Sequence, residues 1–364
     1  MYKSLLIISL VFSLISCGEQ TTTERTISQE GGLSTDHANE FRRDIIQIEK
    51  NIYIAIGYAL ANVIMVVGDN ENIIIDTAGS EESATEIKKD LDKISNNPIN
   101  NIIYTHNHPD HIGGATIFAS DTNVKVYGQE NILYNIDNIS TIIRPIIYER
   151  SARQFGIPLN KESIVHQGIG GFLEINADTT SGLIRPNVTF DKILDLKIDN
   201  IQMELAHVPG ETDDHLYVYL PEQEAVMVGD NFYRSFANLY AIRGTKYRSP
   251  MEWVYSLDKI RKLNAKYLIP SHSRPVIGKD NVYRALTDYR DAIQFVHDQT
   301  VRHINKGLLP NEIVSKIQLP SHLSESPYLQ EFYGSISSYV RSIFSGYIGS
   351  VSYTHLRAHE TFGY

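Results

Sequence analysis

Residues 105–114 read Thr105-His106-Asn107-His108-Pro109-Asp110-His111-Ile112-Gly113-Gly114, which places three histidines and one aspartate within six positions. The apolar run 102–104 before them predicts a short buried strand, and the two glycines begin the next segment. The four polar residues therefore follow a strand, at the edge of a sheet. Imidazole and carboxylate groups together are typical ligands of zinc and similar first-row ions. A polar surface loop with chance histidines does not account for this density and order, so we expect a metal site.

The motif HxHxDH is similar to the loop of the metallo-β-lactamase superfamily, which follows a strand of an αβ/βα sandwich and forms a two-metal hydrolase centre. The resemblance implies further ligands downstream, and three positions supply them in the expected order. Glu211 stands where most members have a third histidine. Asp230 ends the apolar run from Val226 and corresponds to a bridging carboxylate. His272 ends the run from Tyr267 and corresponds to the last histidine.

By this resemblance, seven side chains hold two Zn²⁺ ions: His106, His108 and Glu211 for one, Asp110, His111 and His272 for the other, and Asp230 between them. Another divalent first-row ion would suit the same groups. The resemblance also implies that a metal-bound hydroxide is the nucleophile, with Asp110 and Asp230 as the catalytic carboxylates. The expected fold is α/β, a metallo-β-lactamase αβ/βα sandwich followed by an incomplete all-α dimerisation segment.

A glutamate in place of the third histidine resembles the alkyl sulfatase branch, whose zinc-dependent members include dodecyl sulfate hydrolases. Residues 238–244 resemble the segment of that branch that faces the sulfate, which implies substrate contacts for Asn238, Tyr240 and Arg243. From the residues alone, Arg243 is also consistent with a surface salt bridge, and Asn238 and Tyr240 with packing. Two departures concern the substrate: the branch usually reads Gly-Thr-Glu-Ala-Pro around Glu211, and its best-known members have glutamate in place of Asp230.

The resemblance to alkyl sulfatases implies a hydrolase that releases sulfate from alkyl or related organic sulfate esters. The alternatives are another two-metal hydrolase of the superfamily (lactonase, β-lactamase, thioesterase or phosphodiesterase) and a lipoprotein that binds metal or an anion without turnover. The net charge of −10 argues against a nucleic-acid partner, because phosphate binding needs clustered lysine and arginine. An anionic substrate must then be attracted by a local cationic pocket.

Residues 1–16 are typical of an export signal, because Lys3 precedes a short apolar core at 5–12. That core is too short to remain as a membrane-spanning helix. It ends in Leu14-Ile15-Ser16-Cys17, which resembles a bacterial lipobox. We therefore expect lipidation of Cys17 and an exported, membrane-anchored lipoprotein of a bacterial cell envelope; a plain signal peptide with an incidental cysteine is the alternative. Cys17 is the only cysteine in the chain, which excludes internal disulfides.

The character of the sequence changes after Gly278. Strands are expected to alternate with helices up to Pro270, whereas three helices are predicted afterwards, from Val282 to Val296 and over 310–317 and 329–344. Residues 327–334 and 341–347 resemble the alkyl sulfatase dimerisation segment, which implies a homodimer. The apolar residues of 329–344 spread over a broad face that we expect to lack a cover. Residues 351–361 resemble the translation of a sequencing-library adapter.

The sequence therefore predicts five regions. They are a lipoprotein signal peptide (1–17), a flexible tether rich in Thr, Ser, Gln and Glu (18–40), the catalytic domain (41–277), the truncated helical dimerisation segment (278–349) and a non-native tail (350–364).

Overall fold

Two mixed sheets form the centre of the protein in a computed structural model that describes residues 36–160, 164–173 and 178–349. Seven strands lie side by side in chain order in the first sheet: β1 (Asp44–Glu49), β2 (Ile52–Ile56), β3 (Val63–Val67), β4 (Asn72–Ile75), β5 (Ile99–Ile103), β6 (Lys125–Gln129) and β7 (Val188–Phe190). Strands β1 to β4 are antiparallel, and β4 to β7 run parallel. Parallel neighbours need a crossover connection, and here helices provide it between β4 and β6.

The second sheet has the order β13-β12-β11-β10-β9-β8. Its strands are β8 (Ile193–Ile198), β9 (Ile201–His207), β10 (Leu216–Leu220), β11 (Ala225–Met227), β12 (Tyr267–Ile269) and β13 (Val276–Ile277). The pair β11 and β12 is parallel, and helix α6 connects these two strands; the other pairs are antiparallel.

The helices pack outside the two sheets or follow them in the chain. They are α1 (Glu81–Leu91), α2 (Pro109–Ile112), α3 (Ala115–Phe118), α4 (Ile132–Asp137), α5 (Arg144–Gln154), α6 (Pro250–Lys262), α7 (Lys279–Ile304), α8 (Pro310–Val314), α9 (Ser321–Ser324) and α10 (Ile336–Ile348). Short 3-10 turns lie at Asn39–Phe41 and Gly229–Asn231, and a π-helical turn lies at Asn138–Ile142. No helix within the described ranges combines the length and the apolar character that crossing a bilayer requires.

Three apolar layers hold the elements together. The inner faces of both sheets meet in one core, where Ile54 and Ile75 of the first sheet join Leu205 and Val218 of the second. The outer face of the first sheet is covered by α1, and the outer face of the second by α6, α7 and the helices that follow. This arrangement confirms the αβ/βα sandwich expected from the sequence, because each sheet buries one face against the other sheet and one against helices.

One sequence-based expectation about the order of the elements is wrong, and one strand was not predicted. Strand β1 was missed because none of its residues is buried and they form no clear apolar run. Strands and helices do not alternate throughout: β7 to β11 follow one another between Val188 and Met227 without an intervening helix. Asp199 (φ +52°) and Glu224 (φ +50°) adopt left-handed backbone in the turns there, so tight hairpins replace crossovers.

The last helix begins at Ile336 rather than at Leu329 as the apolar spacing predicts. The segment before it is bound to the backbone of another loop, because Phe236 N–H donates to Gln330 O and Gly334 N–H donates to Phe236 O. These bonds replace helical ones, and the Ser335 side chain then caps α10. The expectation that the apolar face of this segment lacks a cover is also wrong, since Tyr339, Val340 and Ile343 are buried in the core formed with α6 and α7.

Asp76 joins the ends of three strands beside the histidine-rich loop. Its buried carboxylate follows β4 and accepts hydrogen bonds from Thr105 N–H (2.8 Å) and Thr105 Oγ1 (2.9 Å), which follow β5. It also accepts from Ser271 Oγ (2.7 Å) after β12 and contacts His111 Nδ1 at 2.8 Å. A Cβ on Gly113 would lie 2.1 Å from the Gly79 carbonyl oxygen, so this loop approaches the β4 loop more closely than a larger residue permits.

Replacing Asp76 with asparagine is expected to lower the free energy of unfolding of the metal-free protein by more than about 2 kcal/mol, because an amide cannot accept all four hydrogen bonds. Asparagine tolerates the left-handed backbone at this position (φ +57°), so the substitution isolates the hydrogen bonds. Urea unfolding monitored by circular dichroism measures the loss. Asp121→Asn, at an exposed position, is the control; equal stability of the two variants would contradict the role of Asp76.

Candidate metal centre

The seven predicted ligands come together at the edge of the sandwich, beyond the ends of β5, β9, β11 and β12. Three groups have their ligand atoms within 4.8 Å of one another: His106, His111 and Asp230; Asp110, His111 and His272; His108, Glu211 and Asp230. The side chain of Asp110 is 15% exposed, and the other six are buried. These groups suit a divalent metal ion. How they divide between ions stays a prediction.

Asp230 contacts both of the expected ligand groups. Its Oδ2 lies 3.2 Å from His272 Nε2 and 3.7 Å from His106 Nε2, and its Oδ1 lies 3.4 Å from His111 Nε2. Gly229 before it has φ +52°, and a Cβ there would lie 2.6 Å from the His215 ring, so glycine is required. The turn therefore fixes Asp230 between the two expected ligand groups; its role as a bridging carboxylate stays a prediction.

The imidazole rings are oriented by partners outside the cluster. His111 Nδ1 donates to the Asp76 carboxylate (2.8 Å), and His272 Nδ1 donates to the Leu60 carbonyl oxygen (2.9 Å). These oxygens accept hydrogen bonds, so the Nδ1 atoms carry hydrogens and the Nε2 atoms are the ring nitrogens left for the cluster. His106 Nδ1 contacts Thr105 Oγ1 at 3.0 Å in the same way.

The cluster contains buried polar atoms without partners and an excess of negative charge, both of which a bound cation would compensate. Four of its buried atoms have no hydrogen-bond partner among the described residues: His111 Nε2, His272 Nε2, Asp230 Oδ1 and Glu211 Oε2. Buried polar atoms without partners are costly, and three carboxylates in one cluster add negative charge. A divalent ion would satisfy both deficits, so the donor set fits a metal.

Burial and neighbouring charges set the protonation of the ligands. Burial lowers the pKa of His106, as does His111, and burial together with Arg243 lowers the pKa of His108. Both rings are therefore neutral, which is the form that binds metal. Burial raises the pKa of the Glu211 carboxyl to about 7, against the opposing charge of Arg248.

Arg248 forms a buried ion pair with Glu211. Its Nη1 donates to Glu211 Oε1 at 2.8 Å and also to the Asn238 carbonyl oxygen, and both charged side chains are no more than 3% exposed. The backbone N–H of Glu211 donates to Asn231 Oδ1 at 3.2 Å. The second carboxylate oxygen of Glu211, Oε2, is buried and has no hydrogen-bond partner among the described residues.

A cavity of about 400 Å³ opens beside the cluster. Its polar end includes His108, Asp110, Glu211, Asp230 and Arg243, and its remaining wall is largely apolar, with Ile139, Ile147, Phe155, Ile157, Ile169, Leu173, Leu183 and Tyr333. Arg243 Nη2 lies 2.7 Å from His108 Nε2 at the junction. The cavity can therefore hold an anionic group next to the ligands and an apolar group farther away.

Of the three predicted substrate contacts, Arg243 lines this cavity and the other two do not. The side chain of Tyr240 is directed toward solvent and the residue is 45% exposed. Asn238 is buried, its N–H donates to Tyr233 Oη at 2.7 Å, and its carbonyl oxygen accepts from Arg248. Asn238 thus supports the loop through its backbone. Substrate contacts of Asn238 and Tyr240 stay predictions.

Sequence reasoning missed four residues of the site. Asp76 orients His111, and an acidic residue directly after an apolar strand was the available signal. His215 stacks on His106 with ring centroids 4.8 Å apart, and Arg248 pairs with Glu211. Tyr333 reaches the cavity from the segment after the sandwich, a long-range contact that no local sequence pattern indicates.

The predicted lipidation site Cys17 and the predicted tail 350–364 lie outside the described residues.

Comparisons with known proteins agree with this architecture. The alkyl sulfatase dimerisation family matches residues 309–353. A linear primary-alkylsulfatase of Pseudomonas sp. is 39% identical over 286 residues, which are 76% of this chain and 54% of that protein. An alkyl/aryl-sulfatase of Saccharomyces cerevisiae is 28% identical over 319 residues, 84% of this chain and 49% of that protein.

A solved structure of a stereoselective inverting sec-alkylsulfatase from Pseudomonas sp. superposes with a TM-score of 0.81 at 26% identity, covering 87% of this chain and 52% of that one. The chain spans about half the length of the curated relatives it matches. The recognition of the alkyl sulfatase branch from the sequence is thus confirmed. Since the metallo-beta-lactamase superfamily matches residues 57–272, which include all seven predicted ligands, the chain belongs to this superfamily.

Proposed function

We propose that this protein is a metal-dependent hydrolase that releases inorganic sulfate from esters with an apolar organic group. The observation that carries the proposal is the position of Arg243, between the buried ligand cluster and an apolar cavity. Similarity to proteins named alkylsulfatases supports the same reaction class. We further propose that the cofactor is two Zn²⁺ ions, for which the donor set of histidines and carboxylates is suitable.

His106, His108 and Glu211 would hold one ion, Asp110, His111 and His272 the other, and Asp230 would contact both. When bound, the metal would lower the pKa of a coordinated water toward about 7 and stabilise negative charge on the sulfate. Asp76 and the Leu60 carbonyl keep His111 and His272 in the tautomer that presents Nε2. Asp76 therefore acts on the reaction by fixing a ligand, without contacting the substrate.

Arg243 supplies the positive charge that an acidic protein needs to attract an anion. Its planar guanidinium can donate two parallel hydrogen bonds to a tetrahedral oxyanion, which a point charge cannot do. Arg248 also lies nearby, but it does not line this cavity, and its Nη1 is bound to Glu211 and to the Asn238 carbonyl oxygen. Arg243 is therefore the better candidate for binding the sulfate group.

The apolar wall would hold the organic part of the ester. Ile147 and Phe155 line it from helix α5 and the residue after it, Ile169 and Leu173 from the following loop, and Tyr333 from the segment after the sandwich. Contact with apolar carbon lowers the free energy of binding by about 0.8 kcal/mol for each buried CH₂. Catalytic efficiency should therefore rise with the length of a linear alkyl chain until the cavity is full.

The test is sulfate release by the zinc-loaded protein from a series of linear alkyl sulfates, with Arg243→Lys as the variant. Lysine keeps the positive charge but lacks the two parallel N–H donors of the guanidinium fork, so the KM is expected to rise by about tenfold or more. Arg284→Lys, on α7 and remote from the cluster, is the matched control. Asp230→Ala should have no measurable activity and a reduced zinc content.

Three outcomes contradict the proposal. They are turnover of a lactone, a β-lactam or a phosphodiester without sulfate release; an unchanged KM for Arg243→Lys; and near-parental turnover by Asp230→Ala. A protein that binds zinc and sulfate but shows no turnover of any ester would favour the non-catalytic alternative.

We also propose that the protein acts as a homodimer, since the family that matches residues 309–353 is described as a dimerisation unit. The mass from light scattering is expected to equal two chains. Ile348→Glu, within that segment, should lower it, whereas Ile277→Glu, at a residue that is equally exposed (51%), should not. A single-chain mass for the parent protein would contradict the dimer.

The last part of the proposal is export and anchoring of the chain by a lipid on Cys17, which rests on the sequence of residues 1–17. In bacterial cells, Cys17→Ser is expected to move the protein from the membrane fraction to the soluble fraction, because the lipid is attached to that thiol. Thr22→Ser, in the predicted tether, is the control. A Cys17→Ser protein that remains with the membranes would contradict lipid anchoring.

A further inference from the structure

None of the residues of helix α5 is buried, so apolar packing does not hold this helix in place. Side-chain hydrogen bonds attach it to the loop that carries Arg243. Arg150 Nε donates to the Arg243 carbonyl oxygen at 3.0 Å, and Arg150 Nη2 donates to the Ile242 carbonyl oxygen at 2.5 Å. Gln154 Oε1 accepts a hydrogen bond from the Arg243 N–H at 2.8 Å. Three bonds from one helix therefore hold the peptide groups on both sides of the Arg243 Cα.

Gln154 has a second partner in another part of the chain. Its Nε2 donates to Tyr333 Oη at 2.9 Å. The Tyr333 ring is fixed in turn, because it stacks on Phe155 with ring centroids 6.4 Å apart and meets Tyr233 edge-on at 6.0 Å. One amide thus links the Arg243 backbone to a ring that belongs to the segment after the sandwich.

We infer that Gln154 is a positioning residue that aims the Arg243 guanidinium at the anionic group of the substrate. The inference rests on the proposed function, in which Arg243 binds the sulfate. Gln154 does not line the cavity, so it acts through Arg243. A change of the φ or ψ angles at Arg243 would move its guanidinium by several times the displacement of the Cα, because the side chain is long.

The same hydrogen bonds supply partners for the backbone of the loop that carries Arg243. The Arg243 backbone lies in an irregular loop, 238–245, outside the strands and helices, so regular secondary structure does not supply its hydrogen bonds. Gln154 satisfies its N–H, and Arg150 satisfies its carbonyl oxygen. Backbone groups without partners in a partly buried loop would favour other conformations, in which the fork points elsewhere.

The experiment measures binding of inorganic sulfate, the probe, to the zinc-loaded protein by competitive inhibition and by calorimetry. Gln154→Met removes both hydrogen bonds at similar side-chain volume. We expect the dissociation constant of sulfate and the KM of an alkyl sulfate each to rise about fivefold to tenfold, as for the loss of one or two hydrogen bonds. The kcat, zinc content and melting temperature should change little. Arg153→Met, at a neighbour whose side chain is 72% exposed, is the matched control.

A double substitution separates positioning from a general structural effect. In an Arg243→Lys protein there is no fork to aim, so adding Gln154→Met should weaken sulfate binding by less than about twofold further. Additive effects of the two substitutions would overturn the inference, as would unchanged sulfate binding by Gln154→Met. If Met disturbs packing and lowers the melting temperature, Gln154→Ser removes the same bonds and must give the same result.

The two proposals fail in different ways. Unchanged sulfate binding by Arg243→Lys itself would overturn the anion site of the proposed function. Weakened binding by Arg243→Lys together with parental binding by both Gln154 variants would overturn the role of Gln154 alone.

Discussion

The carboxylate of Asp76 joins β4, β5 and β12 to the loop that carries the histidines, through four hydrogen bonds in a fully buried environment. A buried charge is tolerated when its lone pairs are used, and here they are used by the elements that must meet for a metal site to form. One group thereby sets both the closure of the sheet edge and the tautomer of His111. The glycines of the loop follow from the same constraint, because they let it approach the Asp76 turn.

A second electrostatic arrangement distinguishes this centre from one built with a third histidine. Glu211 adds a negative charge to the ligand cluster, and the buried Arg248 lies against it. A buried ion pair of this kind contributes little net stability, since desolvation of both partners offsets their attraction. Its effect is on geometry: Arg248 holds one carboxylate oxygen, and the other has no hydrogen-bond partner among the described residues. The cation that lies between this cluster and the cavity is then Arg243, whose guanidinium contacts the Gly244 carbonyl oxygen and His108 Nε2.

The fold class and the meeting of the seven candidate ligands could be predicted from the sequence. Those residues follow apolar strands, and the ends of such strands share one edge of a sheet. What it did not predict depends on contacts between distant parts of the chain. Leu329 to Phe344 have helical spacing, yet the first part of that segment pairs with the backbone at Phe236. Tyr240 matches a motif in sequence but is directed toward solvent, and Tyr333 reaches the cavity from about ninety residues farther along the chain. Local sequence patterns indicate secondary structure and the chemical type of a site, but they do not indicate where a side chain in a loop points.

Helix α5 has one consequence for how this protein can evolve. Its residues form part of the cavity wall, yet none of them belongs to a buried core. Most substitutions that reshape a binding site carry a stability cost, because the site is built from core residues. In this helix, selection can change Ile147 or Tyr148 and leave the packing of the sandwich untouched, provided that Arg150 and Gln154 keep it attached. The shape of the cavity, and with it the preference for the organic group of the proposed substrate, can therefore diverge between lineages while the melting temperature and the predicted ligands stay constant.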